Sequence, residues 1–129
     1  MIVRGIRGAT TVEANEEDVI LEATRQLLEE IVEKNEVYPG DIASVFITAT
    51  SDLTATFPAR AIRMMKGWEA VPLMCATEID VPGGLPRCIR LLLHANTDQG
   101  QHEIYHVYLR EARSLRPDIE DRDGVDSSS

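Results

Sequence analysis

The fold of this chain is decided by residues 14–35, ANEEDVILEATRQLLEEIVEKN, which carry the clearest helical pattern in the sequence. The apolar side chains recur at spacings of three and four, at Val19 or Ile20, Ala23, Leu27 and Ile31. This spacing places them on one side of a helix, so the pattern predicts an amphipathic helix that packs against a core. Asn15 is expected to cap its start, and the acidic first turn suits the positive end of the helix dipole.

Extended segments flank this helix on both sides. Residues 1–10, MIVRGIRGAT, predict a strand that is interrupted by two glycines. Residues 44–50, SVFITAT, are β-branched and apolar, which predicts a second strand. A strand, a long helix and a strand in succession favour a right-handed crossover in which the two strands pair in parallel.

The rest of the chain predicts shorter elements. These are a short helix and three strands, at 58–66, 71–77, 87–96 and 104–111. Residues 98–101 are expected to form a hairpin loop between the last two strands. Together the elements predict one α+β domain with a five-stranded mixed sheet and two helices.

Alternate side chains of the strand predicted over 87–96 differ in character. One set is mixed and the other is apolar: Cys88, Arg90, Leu92 and His94 against Ile89, Leu91, Leu93 and Ala95. Alternate residues of a strand point to opposite faces, so the helix is expected to cover the apolar set. The mixed face is then wet, ligand-bound or covered by a partner. Leu92 and Tyr108 on that face argue against a fully wet surface.

Charge is distributed unevenly along the 129 residues. The net charge is −9, of which residues 16–36 and 118–129 carry the acidic excess, so the remainder is close to neutral. Eleven of the 13 basic residues are arginine. Arginine pairs with planar carboxylates through two hydrogen bonds, which hints at a small anionic ligand. The acidic total argues against nucleic acid or an anionic membrane surface as a partner.

Cysteine content and hydropathy indicate the compartment. No apolar run approaches the ~18 residues of a membrane span, and residues 1–3 are too short an apolar run for a signal peptide. Cys75 and Cys88 are the two cysteines, too few for a disulfide framework, and they fit a reducing environment. We therefore expect a cytoplasmic protein.

Several kinds of chemistry find no motif in this sequence. There is no GxGxxG, phosphate-binding loop or GxSxG, and His94, His102 and His106 lack a metal-site spacing. No cysteine lies in a pattern typical of an activated nucleophile. Because the sequence also lacks cofactor and metal-site motifs, no metal or cofactor is expected. What remains is a scatter of polar residues in strands or short elements: Arg7, Arg63, Glu78, Arg90, Tyr108 and Arg116. From composition alone, each is interpreted more readily as a surface charge or a rim salt bridge of little energetic weight than as a site residue.

Four stretches, taken together, resemble the monofunctional, sheet-rich chorismate mutase family of the Bacillus type, and not the all-helical chorismate mutases. They are RGIRGATTVE (4–13), FPARAIR (57–63), VPLMCATEIDVPGGLPRCIR (71–90) and HVYLREARSLRPD (106–118). They occur in order with the intervening spacings kept, and the similarity runs to about Ile119. The resemblance implies a catalytic domain over 1–119, and residues 120–129 are expected to be a disordered acidic tail.

The resemblance implies a [3,3] pericyclic rearrangement of chorismate to prephenate, which needs no nucleophile, metal or cofactor. Arg90 would touch the ether oxygen of the breaking bond. Arg7 and Tyr108 match the residues that hold the enolpyruvyl carboxylate, and Glu78 matches the acid that accepts a hydrogen bond from the ring hydroxyl. Cys75 matches a position that lines the same spot, although regular alternation from 75 to 78 sends the two side chains to opposite faces.

The resemblance also implies a wall, a mouth and an assembly. The apolar or backbone wall would comprise Phe57, Ala59, Leu73, Met74 and Leu115. The basic groups near the mouth would be Arg60, Arg63 and Arg116. The family is a homotrimer, a barrel-like arrangement of sheets with sites at the subunit interfaces.

Two other functions stay open at this stage. One is a non-catalytic trimeric protein that binds a small carboxylate ligand, since a fold alone does not fix function. The other is an interaction domain that uses the acidic helix face, although such a face is usually only solvated. Arg90 together with Glu78 discriminates the mutase from the non-catalytic binder, because a binder needs carboxylate clamps but no cation on the ether oxygen.

Overall fold

The computed structural model describes residues 1–115, which form a single mixed sheet with the two α-helices on one side. The strands are Ile2–Thr11 (β1), Ile42–Ala49 (β2), Leu73–Thr77 (β3), Cys88–Thr97 (β4) and Val107–Tyr108 (β5). The α-helices are Glu17–Asn35 (α1) and Ala59–Arg63 (α2), and short 3-10 helices lie at Pro39–Asp41, Gln101–Glu103 and Arg110–Leu115. This confirms the predicted five-stranded mixed sheet with two α-helices.

The strand order is β3-β2-β4-β1-β5. β4 is antiparallel to both neighbours, and its register with β1 runs from Ile2 opposite Thr97 to Thr11 opposite Cys88. β1 and β2 therefore point the same way, as the crossover requires, but the predicted pairing between them is wrong. The ten-residue β4 lies between them and satisfies the facing backbone groups of both strands.

The end of the chain departs from the predicted strand over 104–111. β5 has two residues and pairs in parallel with β1, so the hairpin with β4 predicted at 98–101 is also wrong. The buried amide of Asn35 is the cause. It donates to the Tyr105 carbonyl and accepts from the Tyr105 N–H, both at 2.8 Å, and so ties this segment to the end of α1. Arg110, with φ of 52°, then turns the chain into a 3-10 helix.

The core lies between α1 and the apolar face of the sheet. Ile89, Leu91 and Leu93 of β4 are fully or almost fully buried, as the alternation predicts. The helix approaches the sheet closely over Gly8 of β1, where a Cβ atom would lie 2.6 Å from Cδ1 of Ile31. The glycine is thus needed for the close packing of helix and strand.

Both helices are shorter than predicted. α1 begins at Glu17, and Asn15 does not cap it. The Asn15 side chain instead accepts hydrogen bonds from the backbone N–H groups of Thr54 and Ala55. α2 covers 59–63 of the predicted 58–66. Within the described chain, no helix is long and apolar enough to cross a membrane.

Candidate active site

A cleft of about 590 Å³ lies on the sheet face opposite α1. We call it the arginine cleft. Its lining comes from all five strands and nearby segments: Arg7, Gly8, Ala9, Phe46, Ile47, Thr48, Met74, Ala76, Glu78, Arg90, Leu91, Leu92, Tyr108 and Leu115. The mixed face of β4 is therefore the floor of a pocket, which is one of the outcomes that the alternation allowed.

Arg90 and Glu78 form an ion pair in this cleft. Nε of Arg90 lies 3.2 Å from Oε2 of Glu78. The Arg90 side chain is 46% exposed and that of Glu78 is 26% exposed, so the pair is only partly withdrawn from water. Glu78 follows the last residue of β3, and its backbone N–H donates to the carbonyl of Ala49 at 2.9 Å. The end of the strand thus brings the carboxylate back to the face that carries Arg90.

Small buried side chains pack on the same face of the sheet as Arg90. Cys88 lies two residues earlier on the same face of β4 and is buried with Ala9 and Ala112. Burial raises the pKa of the Cys88 thiol, and the positive charge of Arg90 and its hydrogen bond oppose this shift. Cys88 is therefore an uncharged packing residue, as expected for a small buried thiol.

Arg7 and Tyr108 both line the arginine cleft where β1 meets β5. In the register of the two strands Tyr108 is opposite Ala9, two residues beyond Arg7. The backbone N–H of Arg7 donates to Nδ1 of His106 at 3.0 Å. Among residues 1–115 the Arg7 guanidinium has no hydrogen-bond or ion-pair partner, so its five donors are available to an anion in the cleft.

A second cleft, of about 770 Å³, lies on the other side of β3. We call it the outer cleft. It is lined by Glu17, Ala49, Thr50, Ser51, Leu53, Thr54, Ala55, Thr56, Phe57, Pro58, Arg60, Cys75, Ala76 and Thr77. Met74 lines the arginine cleft whereas Cys75 lines the outer cleft, as the alternation of β3 requires.

Nine of the predicted site residues divide between these two clefts of one chain. The arginine cleft brings together six of them: Arg7, Met74, Glu78, Arg90, Tyr108 and Leu115. The outer cleft holds Phe57, Arg60 and Cys75. Nη1 of Arg60 is already bound to a carboxylate oxygen of Glu17 at 2.9 Å.

Three predicted residues within the described part of the chain line neither cleft. Ala59 is buried in the core, and Leu73 packs against the core. Arg63 lies exposed at the C-terminal end of α2. Arg116 is outside the described residues.

Among the side chains of the arginine cleft that sequence reasoning missed, two lie on one face of β2. They are Phe46 and Thr48, which lie on the same face of β2, with the buried Ile47 between them. The rings of Phe46 and His94 pack in a T-shaped arrangement, with 5.4 Å between ring centroids. Applying to SVFITAT the alternation that was read on β4 would have found both.

This chain is similar to known proteins of one family. It matches the family model described as chorismate mutase type I over residues 3–119. It is 50% identical over 119 residues to chorismate mutase AroH of Bacillus subtilis (strain 168), covering 92% of this chain and 94% of that one. It is 51% identical over 120 residues to chorismate mutase AroH of Thermus thermophilus, covering 92% and 98%.

A solved structure agrees with this match. The fold is similar to that of a chorismate mutase from Clostridium thermocellum, with a TM-score of 0.84 and 51% sequence identity. The likeness covers 86% of this chain and 98% of the other.

Proposed function

This chain belongs to the chorismate mutase type I family, is an isomerase that converts chorismate to prephenate, and from that premise we propose that the arginine cleft holds the substrate. The observation that carries the proposal is the Arg90–Glu78 pair beside an Arg7 guanidinium that has no partner in the described chain. A dicarboxylate substrate needs cations of this kind. The alternative of a non-catalytic carboxylate binder finds no support among the relatives.

Arg90 is proposed as the main catalytic residue. In the rearrangement, cleavage of the C–O bond runs ahead of formation of the C–C bond, so negative charge grows on the ether oxygen. A guanidinium fixed beside that oxygen stabilises the transition state more than the ground state, which is the requirement for catalysis. The ion pair with Glu78 holds the guanidinium in place before the substrate arrives.

Arg7 and Tyr108 are proposed to hold the enolpyruvyl carboxylate, and Glu78 to accept a hydrogen bond from the ring hydroxyl. The apolar lining from Phe46, Met74 and Leu92 has a separate task. The reactive conformer of chorismate is compact and minor in water, and a shaped wall that holds it supplies part of the rate through orientation.

We test this assignment with purified protein and chorismate, following the loss of the diene absorbance. Arg90→Ala is expected to lower turnover by roughly a hundred- to a thousandfold, the usual cost of removing one preorganised charge-stabilising group. Arg90→Lys should recover only part of it, because lysine lacks the planar fork. Prephenate is confirmed by its acid conversion to phenylpyruvate. Full activity of a folded Arg90→Ala variant would contradict the assignment.

The functional unit is proposed to be a homotrimer in which the outer cleft of one subunit completes the arginine cleft of the next. Two observations support this. Phe57, which the resemblance assigns to the substrate wall, is 67% exposed and lies apart from Arg90 in the outer cleft, with Cys75 beside it. Phe46 and Met74 are 44% and 63% exposed at the arginine cleft, and large apolar groups of this kind commonly mark an interaction surface.

Subunit complementation tests the shared site. Cys75→Trp fills the outer cleft and Arg90→Ala disables the arginine cleft, so each homotrimer should be inactive. Mixed trimers should regain activity, because some interfaces then join an intact arginine cleft to an intact outer cleft. The matched control mixes Arg90→Ala with Arg7→Ala, both in the arginine cleft, and should stay inactive. A fully active Cys75→Trp trimer would contradict the shared site.

The bounds of the catalytic domain and the cellular compartment are also proposals. The catalytic domain is proposed to span residues 1–119, and the acidic stretch 120–129 lies outside the described residues. The cytoplasm is proposed as the compartment, since Cys75 and Cys88 are both free thiols.

A further inference from the structure

Thr48 contacts the carboxylate of Glu78 within the lining of the arginine cleft. It lies on β2 between two neighbours in the sheet register, Arg90 of β4 and Ala76 of β3. Its hydroxyl donates a hydrogen bond to Oε2 of Glu78 at 2.6 Å. Thr48 is thus placed by the sheet next to both members of the ion pair.

The two oxygens of Glu78 are in different situations. Oε2 accepts from Thr48 and lies 3.2 Å from Nε of Arg90. Within residues 1–115, Oε1 has no hydrogen-bond partner. The carboxylate is therefore engaged through one oxygen and presents the other to the cleft.

We infer that Thr48 is a positioning residue for the mutase reaction. It fixes the Glu78 carboxylate so that Oε1 accepts a hydrogen bond from the ring hydroxyl of the substrate. This inference rests on the proposed role of Glu78 in the arginine cleft. It adds a residue outside the predicted site set. It also assigns different roles to the two carboxylate oxygens, with Oε2 held by the protein and Oε1 facing the substrate.

The need for such a residue follows from the Arg90–Glu78 geometry. Arginine and carboxylate groups favour pairs with two parallel hydrogen bonds. If Thr48 did not hold Oε2, the carboxylate would turn to pair with Arg90 through both oxygens. The ring hydroxyl of the substrate would then lose its acceptor on Glu78, whereas Arg90 would keep its remaining N–H donors.

Thr48 suits this task because its side chain is rigid. A β-branched residue in a strand has restricted χ1, so the hydroxyl stays directed at its acceptor at little further cost in entropy. Valine has nearly the same shape without the donor, and serine keeps the donor without the methyl group. These two substitutions separate the hydrogen bond from the packing.

The first experiment measures kcat and KM for chorismate with Thr48→Val, Thr48→Ser, Glu78→Ala and the double variant Thr48→Val/Glu78→Ala. Thr48→Val should lower kcat/KM by roughly ten- to a hundredfold, the range for one hydrogen bond to a charged group, with most of the loss in kcat. Thr48→Ser should retain most of the wild-type kcat/KM, because serine keeps the hydroxyl donor. In the Glu78→Ala background, Thr48→Val should cause no further loss, because the two groups act as one unit.

The second experiment uses a chorismate analogue that lacks the ring hydroxyl. With no hydroxyl for Oε1 to receive, Thr48→Val and the wild-type protein should convert it at equal rates. A purely structural role for Thr48 would slow both substrates alike. Circular dichroism and thermal unfolding confirm the fold of each variant, and Thr48→Ala replaces Thr48→Val if the latter does not fold.

The outcomes separate this inference from the proposed function. Unchanged kcat/KM in Thr48→Val, failure of Thr48→Ser to restore it, or an independent loss in the Glu78→Ala background would each overturn the positioning role. Full activity of Glu78→Ala would instead contradict the proposed role of Glu78 itself.

Discussion

The two faces of β4 are built from alternate residues of one strand, yet they differ in what completes them. Ile89, Leu91 and Leu93 on one face are 0%, 2% and 0% exposed beneath α1. Arg90 on the other face is 46% exposed in the arginine cleft. The helix face is closed within one chain, whereas the cleft face is open and is proposed to receive a substrate and a neighbouring subunit.

This difference separates stability from activity along a single strand. A buried aliphatic side chain contributes through the area that it removes from water and through close packing. A half-exposed charged group contributes little to folding but is available to a ligand. Neighbouring residues of β4 should therefore respond to mutation in opposite ways.

The largest expected effect on stability comes from the helix face. Leu93→Ala should lower the free energy of unfolding by about 2–5 kcal/mol, because it removes buried methyl groups and leaves a cavity. Guanidinium chloride unfolding measures this. Arg90→Ala serves as the control on the opposite face and should stay within about 0.5 kcal/mol of the wild-type protein. Equal losses in the two variants would abolish the distinction between the faces.

The next effect comes from the two glycines of β1. Gly8→Ala places a Cβ atom 2.6 Å from Cδ1 of Ile31, and this overpacking should cost about 1–3 kcal/mol. Gly5→Ala is the matched control, because its nearest neighbour is Cδ1 of Leu92 at an ordinary 3.8 Å. Thermal unfolding of both variants measures the difference in their loss of stability. A similar loss in Gly5→Ala would mean that a neighbouring subunit packs the cleft face as tightly as α1 packs the other.

A smaller effect is expected where β4 begins and the two faces meet. The Asp52 carboxylate accepts hydrogen bonds from the Arg87 N–H, at 3.2 and 3.0 Å, and from the Thr50 hydroxyl at 2.5 Å. Arg87 needs this support because its φ is 47°, in the left-handed region. Asp52→Ala should cost about 1 kcal/mol, as for loss of a capping acceptor, and Asp52→Asn less. Denaturant unfolding measures whether Asp52→Ala loses more stability than Asp52→Asn. Equal losses would show that the negative charge of Asp52, and not the position of its acceptor oxygen, stabilises this turn.

The smallest effect lies on the solvent side of α1, far from both faces of β4. Hydrogen bonds from Arg25 lower the pKa of Glu22 below its ordinary value. A carboxyl group with a depressed folded-state pKa stabilises the fold above its unfolded-state pKa, and this contribution is lost as the pH falls through the folded-state value. Arg25→Ala should return the Glu22 pKa toward its ordinary value, as measured by NMR titration. High salt should mimic it in part.

Much of this fold could be predicted from local pattern. The helical spacing of Leu27 and Ile31 located α1, and the alternation at Leu91 and Leu93 identified the buried face of β4. The errors lay elsewhere. The hairpin predicted at 98–101 failed because the amide of Asn35, 70 positions before Tyr105, satisfies the backbone groups of that segment.

The candidate site was predictable in part. Resemblance to a family indicated Arg7, Glu78, Arg90 and Tyr108, and the structure brings these four into one cleft. Neither motif nor resemblance indicated Thr48. Its contact with Glu78 joins residues 30 positions apart and depends on the pairing of β2 with β3.

The sequence by itself determined where the helix and most of the strands lie and which of their sides are apolar. Side-chain direction follows a fixed period of 3.6 residues in a helix and two in a strand, so these properties are local. The tertiary structure alone decided that β4 lies between β1 and β2, that Cys75 and Arg90 line different clefts, and that Thr48 holds Glu78. Such choices depend on the competition of distant segments for the same backbone and side-chain partners, which no local period records.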